Sequence, residues 1–352
     1  MKKIALIVSN NLWSCPYVLI YSKLLDKWGI TYDIISWNRC GQKEECIQFN
    51  LLEKSRNPIA LLWSFWRFSK FVQKIVKRND YKRLVVFDSQ LGIFLSSFLN
   101  KKFKGKYVFD YRDLSIEQNP FFKNKFIRLL SNSCLNIISS PGFKRYLPST
   151  FDYIVCHNIN IDLAIKSLRD DVEKYSGEKI RILTIGAIRV DSNYEVIDAI
   201  GNKADLFLSF VGRGPASIEL EKYVNHKGFG NISFSGFYKK EEEPSIYKNH
   251  AFVNIIYPLI PSHISALSNR FYNSIIYRRP MLVRSGTIQG DYAKRYKVGL
   301  VINDCDNLPN FILDYNKQLN YDEYSNRCKE LLESFVKDNL KFESLFNQFA
   351  TE

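Results

Sequence analysis

The chain has 352 residues, of which 46% are apolar and 15% aromatic, so it can bury the cores of two ordinary domains and is not disordered. Its net charge of +14 favours an anionic partner, such as a membrane surface, a phosphorylated acceptor or a nucleic acid. No run of about 20 apolar residues occurs, which argues against a membrane-spanning helix.

Ile4–Val8 is the first apolar run, and it follows a short basic segment. A signal peptide needs a core of roughly 7–15 apolar residues, so this run is better interpreted as a first β-strand. The seven cysteines are scattered, without a CxxC pair or a zinc-binding spacing. They therefore favour a reducing cytoplasm.

The first half alternates short apolar runs with helical stretches such as Val18–Trp28 and Ile59–Lys77. Buried strands rich in Ile, Val and Leu that are separated by helices predict a parallel sheet covered on both faces. The predicted strands are Ile4–Val8, Tyr32–Trp37, Leu84–Asp88, Tyr107–Tyr111, Leu135–Ser139 and Tyr153–Cys156.

The second half repeats this plan, and a helical stretch, Tyr321 to Phe349, ends it. We therefore predict an α/β protein with two Rossmann-like, doubly wound domains at residues 1–162 and 163–335. Residues 336–352 are predicted to form a helix that returns to the first domain. The predicted strands of the second domain are Ile180–Ile185, Leu206–Val211, Ile232–Ser235, Phe252–Ile256, Pro280–Val283 and Leu300–Ile302.

Ligands of such sheets bind beyond the carboxyl ends of the strands, so the residues after each strand are candidates. Gly186 and Arg189 follow the first strand of the second half, where glycine permits close approach and arginine supplies a cation. Gly212, Gly214 and Pro215 follow the next strand and could equally form a plain turn. A third glycine is missing, which argues against a dinucleotide site.

The stretch Leu267 to Val283, "LSNRFYNSIIYRRPMLV", predicts a helix that ends before Pro280 and leads into a strand. Its first turn carries Asn269 and Arg270, where an acidic residue is more usual. A helix N-terminus beside an arginine is a good anion site, with pyrophosphate as its natural occupant. The alternative is a helix that only packs.

These motifs together resemble the donor domain of bacterial nucleotide-sugar glycosyltransferases of the GT-B fold. The likeness is greatest to family-four enzymes that build capsule, O-antigen and other surface polysaccharides. It continues through "GF" at 236–237 and Arg278-Arg279-Pro280. In the first half "CPYVLIYSKLLDKWGITYDIISWNR", "YVFDYRDL" and "VCHNINID" resemble the family's opening helix, its Asp-x-Arg-Asp strand end and its entry to the second domain.

The resemblance implies two domains that face across a cleft, with a nucleotide-sugar donor, UDP more than GDP, in the second. The family's two glutamates fall at Ser265 and Asn273, so both carboxylates are missing, although Asn273 can still hydrogen-bond a ribose hydroxyl. The implied donor-binding residues are Gly186, Arg189, Gly212, Gly214, Pro215, Ser268, Asn269, Arg270, Asn273 and Asp291.

The resemblance also implies a retaining transfer without metal or other cofactor, in which Arg189 and Arg270 stabilise the departing phosphate. An inverting transfer would need a base, for which Asp110 and Asp113 are candidates. Arg112 could contact the acceptor or pair with either aspartate. Asn11, Asp110, Arg112 and Asp113 are the predicted acceptor-binding residues, and Asp113 is the predicted catalytic carboxylate.

The positive charge is concentrated in the first half: residues 1–165 contain 25 Lys and Arg against 12 Asp and Glu, whereas residues 166–352 contain 25 against 24. Aromatic and basic residues alternate over residues 57–83, which is typical of an interfacial membrane helix or of a core helix with a basic face. The predicted membrane-contacting residues are Trp63, Trp66, Arg67, Lys70 and Lys74.

These patterns favour a transferase at the inner face of the cytoplasmic membrane, acting on a polyprenyl-diphosphate-linked saccharide. Such an acceptor is both anionic and membrane-bound. Nucleic acid is disfavoured because no binding module occurs. The alternatives are a non-catalytic GT-B-like protein that binds a membrane glycolipid or a partner, and a sugar-nucleotide epimerase, for which the required carboxylates are not found.

Overall fold

The chain forms two compact units in the computed structural model, which describes residues 4–52, 57–189 and 193–352. Met1–Asn158 and Asp338–Glu352 make up the first unit, and Ile159–Lys337 makes up the second. Residues 190–192, in the predicted donor loop after Arg189, lie outside the described residues.

The first unit is built on a seven-stranded sheet in which every pair of neighbouring strands is parallel. Its strand order is β3-β2-β1-β4-β5-β6-β7. The strands are β1 (Ile4–Val8), β2 (Tyr32–Asn38), β3 (Ile47–Asn50), β4 (Arg83–Phe87), β5 (Tyr107–Tyr111), β6 (Leu135–Ile138) and β7 (Ile154–Val155).

Residues 39–46 join β2 to β3 without a helix and a 3-10 helix, Pro141–Tyr146, lies between β6 and β7, whereas the other connections of this parallel sheet contain α-helices. They are α1 (Val18–Lys27), α2 (Pro58–Arg78), α3 (Ser89–Lys102) and α4 (Pro120–Asn132). β1 and β5 are buried along their whole length, which explains the apolar sequence of β1 and of β5 apart from Asp110. Strand β3 was not predicted, because Ile47–Asn50 alternates apolar and polar residues at the edge of the sheet.

The second unit has a six-stranded parallel sheet with the order β10-β9-β8-β11-β12-β13. The strands are β8 (Ile180–Ile185), β9 (Leu206–Val211), β10 (Ile232–Gly236), β11 (Phe252–Ile255), β12 (Met281–Arg284) and β13 (Gly299–Ile302). The helices are α5 (Ile161–Arg169), α6 (Asn193–Ile200), α7 (Ser217–Lys227), α8 (Glu243–Lys248), α9 (Pro261–Ser265), α10 (Asn269–Ile276), α11 (Ile288–Tyr296), α12 (Leu308–Gln318) and α13 (Tyr321–Thr351).

Each sheet reverses its strand order once, between β1 and β4 in the first unit and between β8 and β11 in the second. Strands are added outward on one side and then on the other, which is the doubly wound arrangement. The prediction of two Rossmann-like parallel sheets is therefore confirmed. Among the described helices, none combines the length and the apolar composition needed to cross a membrane.

Candidate functional site

A pocket of about 350 Å³ lies in the second unit, at the carboxyl ends of β8 and β11. These two strands are neighbours at the reversal of strand order, where open α/β sheets bind their ligands. Six of the predicted donor residues line it: Gly186, Arg189, Ser268, Asn269, Arg270 and Asn273. Lining residues that sequence reasoning missed are Tyr238, Glu243, Tyr247, Tyr257 and Gln289.

The glycines after β8 and β9 have different roles. Gly186 lines the pocket with a φ of +89°, and a Cβ atom there would meet no atom within 4 Å. By contrast, a Cβ on Gly212 or Gly214 would lie 2.2 or 2.0 Å from a carbonyl oxygen of the loop after β8. Gly212 and Gly214, with the exposed Pro215, lie outside the pocket lining. The geometry favours a turn that supports the loop of Gly186.

The N-terminus of α10 faces the pocket. Ser268 caps this helix, because its Oγ accepts a hydrogen bond from the Phe271 N–H at 3.2 Å. The Ser268 hydroxyl donates in turn to Oε1 of Gln289, which α11 supplies, at 2.7 Å. Asn269 and Arg270 occupy the first turn, which has no acidic residue. The positive end of the helix dipole is thus directed at the cavity.

Arg270 lines the pocket and is held there by backbone carbonyl groups. Its guanidinium donates to the carbonyl oxygens of Ile185, Ala187 and Asn254, the last two at 3.0 and 3.4 Å. Arginine has five N–H donors, so part of this side chain joins the ends of β8 and β11 and part remains for the pocket. Arg189, in contrast, is exposed at the pocket wall and is the cation with more freedom to meet a ligand.

Glu243, the first residue of α8, supplies the pocket with a carboxylate. Its Oε1 accepts a hydrogen bond from the Tyr238 hydroxyl at 3.2 Å, and its Oε2 accepts one from Nδ2 of Asn273 at 3.4 Å. Burial raises the pKa of the Glu243 carboxyl, and the bond from Tyr238 opposes that shift. The sequence could have indicated Glu243 as a candidate, because it is an acidic residue that follows the predicted strand β10, but it was not selected.

Two further predicted positions lie away from the cavity. Ser265 is fully buried at the end of α9 and does not line the pocket. Asp291 is exposed in the first turn of α11, whereas Gln289 of the same turn lines the pocket. Asn273 does line the pocket, and its amide is bonded to Glu243. The donor contact predicted for Asp291 therefore gains no support from its position.

In the first unit the Asp-x-Arg-Asp segment, which begins at Asp110 inside β5, is divided between two environments. Asp110 is fully buried and accepts hydrogen bonds from the Tyr21 hydroxyl at 2.6 Å and from Arg112 at 2.5 Å. Of the two interpretations of Arg112, the structure shows the pairing with Asp110. Both side chains are almost inaccessible to solvent. The prediction that Asp110 and Arg112 contact the acceptor directly is therefore corrected: their ion pair orders the end of β5.

The prediction that Asn11 contacts the acceptor is also corrected, since this residue is only 1% exposed. Its Oδ1 accepts from the backbone N–H of Arg39 at 3.0 Å, and its Nδ2 donates to Asn38 at 3.2 Å. Asn11 therefore fixes the loop after β2.

Asp113 is exposed, and its Oδ1 accepts from the Leu114 N–H at 2.8 Å. Its catalytic role stays a prediction.

Helix α2 has one buried face and one exposed face, as a core helix with a basic face would have, and its contact with a membrane stays a prediction. Phe65, Phe68, Ser69, Val72 and Val76 are buried, so one face packs against the first unit. The opposite face exposes Trp63 by 56% and Trp66 by 48%. The Arg67 guanidinium lies 4.7 Å from the Trp63 ring and the Lys70 amine 5.6 Å from the Trp66 ring, while Lys74 is exposed beyond them.

No protein-family model matches the chain, and no curated protein matches its sequence. Solved structures do match it along almost its whole length. Sucrose-phosphate synthase from Thermosynechococcus elongatus matches with a TM-score of 0.73 and 16% identity over 100% of both chains.

Two further structures match at similar levels. HepE from Anabaena, in complex with UDP, has a TM-score of 0.65 and 13% identity over 99% of this chain and 100% of its own. The lipopolysaccharide outer core galactosyltransferase WaaB has a TM-score of 0.66 and 11% identity over 98% of this chain and 99% of its own. At such low identity the likeness establishes the fold alone, and that fold is GT-B.

Proposed function

We propose that the chain is a glycosyltransferase that binds a nucleotide-sugar in the pocket of the second unit and transfers its sugar. One observation carries this proposal: Gly186, Arg189 and the N-terminus of α10 converge on one cavity where the strand order reverses. Backbone N–H groups, a helix dipole and an arginine together suit a diphosphate.

The proposed chemistry follows from the charge that develops when the sugar leaves. Breaking the bond between the sugar and the diphosphate places negative charge on the departing phosphate oxygen. Arg189 and the start of α10 would stabilise that charge, and this is commonly the largest catalytic contribution. We propose a retaining transfer that needs no metal ion, in which Arg270 orders the strand ends and assists at the phosphate.

We propose UDP as the nucleotide of the donor. The structure of HepE with UDP supports it, since that protein shares the fold over nearly the whole chain. Tyr238, Tyr247 and Tyr257 line the pocket and are called its aromatic wall here. Tyr247 is almost fully buried, so the partly exposed Tyr238 and Tyr257 offer the ring surface against which a base can pack.

The proposed acceptor is a lipid-linked saccharide of bacterial surface polysaccharide biosynthesis, such as capsule or O-antigen. Support comes from the basic first half and from the exposed tryptophans of α2. A polyprenyl diphosphate is anionic and membrane-bound, so it would bring the protein to the inner face of the cytoplasmic membrane. WaaB, a lipopolysaccharide outer core galactosyltransferase, has the same fold.

A thermal-shift screen tests the donor site, with millimolar UDP, GDP, ADP and CDP and the corresponding monophosphates. We expect UDP to raise the melting temperature most, because a ligand that binds only the folded state stabilises it by mass action. The Arg189→Ala variant should lose most of this shift, because losing a charged hydrogen bond lowers the affinity for UDP by about 10- to 100-fold. Arg213→Ala removes an exposed arginine outside the pocket lining and should keep the shift.

The second candidate is a non-catalytic protein of the same fold that binds a glycolipid or a partner. The serine and asparagine at positions 265 and 273, where the resembled family has glutamates, favour it. Stabilisation by no nucleotide in the screen would contradict a donor site and support this candidate. Release of UDP from a UDP-sugar in the presence of a lipid-linked acceptor would instead establish turnover.

A further inference from the structure

The pocket contains one carboxylate whose surroundings are unusual for a surface acid. Glu243 is only partly exposed, although it begins a helix between two loops. Both of its oxygens are engaged, one by the phenol of Tyr238 at 3.2 Å and the other by the amide of Asn273 at 3.4 Å. Neither donor is a cation, so the two bonds orient the carboxylate without neutralising it.

An oriented carboxylate at a pocket wall has a specific use. Its two oxygens offer about four acceptor sites, and the bonds from Tyr238 and Asn273 occupy only two of them. The remaining sites suit a pair of neighbouring hydroxyl groups, each of which can donate one hydrogen bond. Burial raises the pKa of the Glu243 carboxyl, and hydrogen bonds from ligand hydroxyls would favour its charged form.

The position of Glu243 relative to the phosphate-binding elements selects the ligand group. Asn273, which donates to Glu243, lies one turn along α10 from Asn269 and Arg270 at the helix start. Tyr238, its other partner, belongs to the aromatic wall. A group between a phosphate and an aromatic base in a nucleotide is the ribose.

We propose that Glu243 binds the neighbouring 2′- and 3′-hydroxyls of the nucleotide ribose, and that Asn273 and Tyr238 are positioning residues that hold its carboxylate. This inference rests on the proposed function. The carboxylate absent from position 273 of α10 would thus be supplied from α8, and Asn273 would orient it.

Calorimetric titration with UDP and with 2′-deoxy-UDP tests the assignment on the full chain. We expect the unmodified protein to bind UDP about tenfold or more tightly than the deoxy nucleotide. Glu243→Gln should weaken UDP binding by about 10- to 100-fold and should bind both nucleotides alike. Glu241→Gln, an exposed neighbour outside the pocket lining, is the matched control and should behave as the unmodified protein.

Asn273→Ala should reduce the discrimination between the two nucleotides although the Glu243 side chain is still present, which a purely structural role would not do. Unchanged discrimination in Glu243→Gln would overturn the ribose assignment. The assignment would also be overturned if Glu243→Gln changed the affinity for UDP-glucose relative to UDP but not the affinity for UDP relative to 2′-deoxy-UDP. The carboxylate would then face the transferred sugar. Failure of UDP to bind the unmodified protein would instead refute the proposed function itself.

Discussion

Asp88 adopts a backbone conformation that few residues other than glycine tolerate. It follows β4 at the N-cap position of α3 with a φ of +71°, a region that costs of order 1–3 kcal/mol for a residue with a Cβ. Its carboxylate accepts a hydrogen bond from the Ser9 hydroxyl at 2.6 Å. Burial raises the pKa of the Asp88 carboxyl. Both features destabilise the folded chain at neutral pH.

Asp88→Asn should therefore stabilise the protein, and the gain should depend on pH. Above the ordinary pKa of 3.8 the unfolded chain loses this proton while the folded chain retains it. Folding stability consequently falls as pH rises toward the raised folded-state pKa, and the variant lacks this loss. We expect a larger increase in melting temperature at pH 7 than at pH 4.

Urea or thermal denaturation at both pH values measures this difference. Asp26→Asn, on the exposed surface of α1, serves as the control and should change stability by no more than about 0.5 kcal/mol. An equal gain at pH 4 and pH 7 would show that the charge of Asp88 contributes nothing, and a loss at pH 7 would show that this charge stabilises the fold.

At the scale of elements, α13 contributes to the cores of both units. Up to Lys337 the helix belongs to the second unit, and from Asp338 it belongs to the first. Its last turns bury Phe342, Phe346 and Phe349. The ring of Phe346 lies 4.9 Å from that of Tyr21 and 5.7 Å from that of Trp28, both on the α1 side of the first sheet. The end of α13 is thus a structural part of the first unit.

Phe346→Ala should destabilise the first unit by about 3–5 kcal/mol, since it removes a fully buried ring and leaves a cavity. Chemical denaturation followed by tryptophan fluorescence measures the effect, because Trp28 contacts the ring. Leu340→Ala alters the same helix at a side chain that is 51% exposed, and it should have little effect. Comparable losses in the two variants would contradict a specific contribution of the buried Phe346 ring, because alanine is a better helix former than either residue it replaces.

Most elements were predictable because parallel strands covered on both faces are nearly continuous apolar runs. Ile180–Ile185 and Leu206–Val211 are strands with the predicted bounds. Local pattern does not reveal partners distant in sequence, so Glu243 was missed although Asn273 was selected. Nor does it reveal that Arg278 and Arg279, at the predicted end of the helix before Pro280, are both buried and donate to backbone carbonyls such as those of Ser167 and Tyr247.

At the scale of the whole molecule, charge and exposed aromatic area coincide in the first half of the chain. That half holds almost the entire net charge of +14. Within it, α2 exposes Ile59, Trp63 and Trp66 beside basic residues, while its other face is buried. Basic residues attract anionic lipid over roughly a Debye length, and exposed indole rings add burial at the interface. We therefore predict that the protein binds anionic membranes and that this binding needs both the basic residues and the exposed tryptophans.

Co-sedimentation with vesicles that contain 30% phosphatidylglycerol, about the level that gives a strongly anionic surface, tests this prediction. We expect binding that weakens roughly tenfold when Trp63 and Trp66 are both replaced by serine, because their partial burial in lipid is lost. Raising the salt concentration should also weaken binding by screening. Ile218→Ser with Phe311→Ser removes two exposed apolar side chains of the second unit and should leave binding intact. Equal losses of binding in the two double variants would show that exposed apolar side chains contribute wherever they lie, and would contradict a specific role of α2. Unchanged binding in the tryptophan variant would show that charge alone attaches the protein to the vesicles.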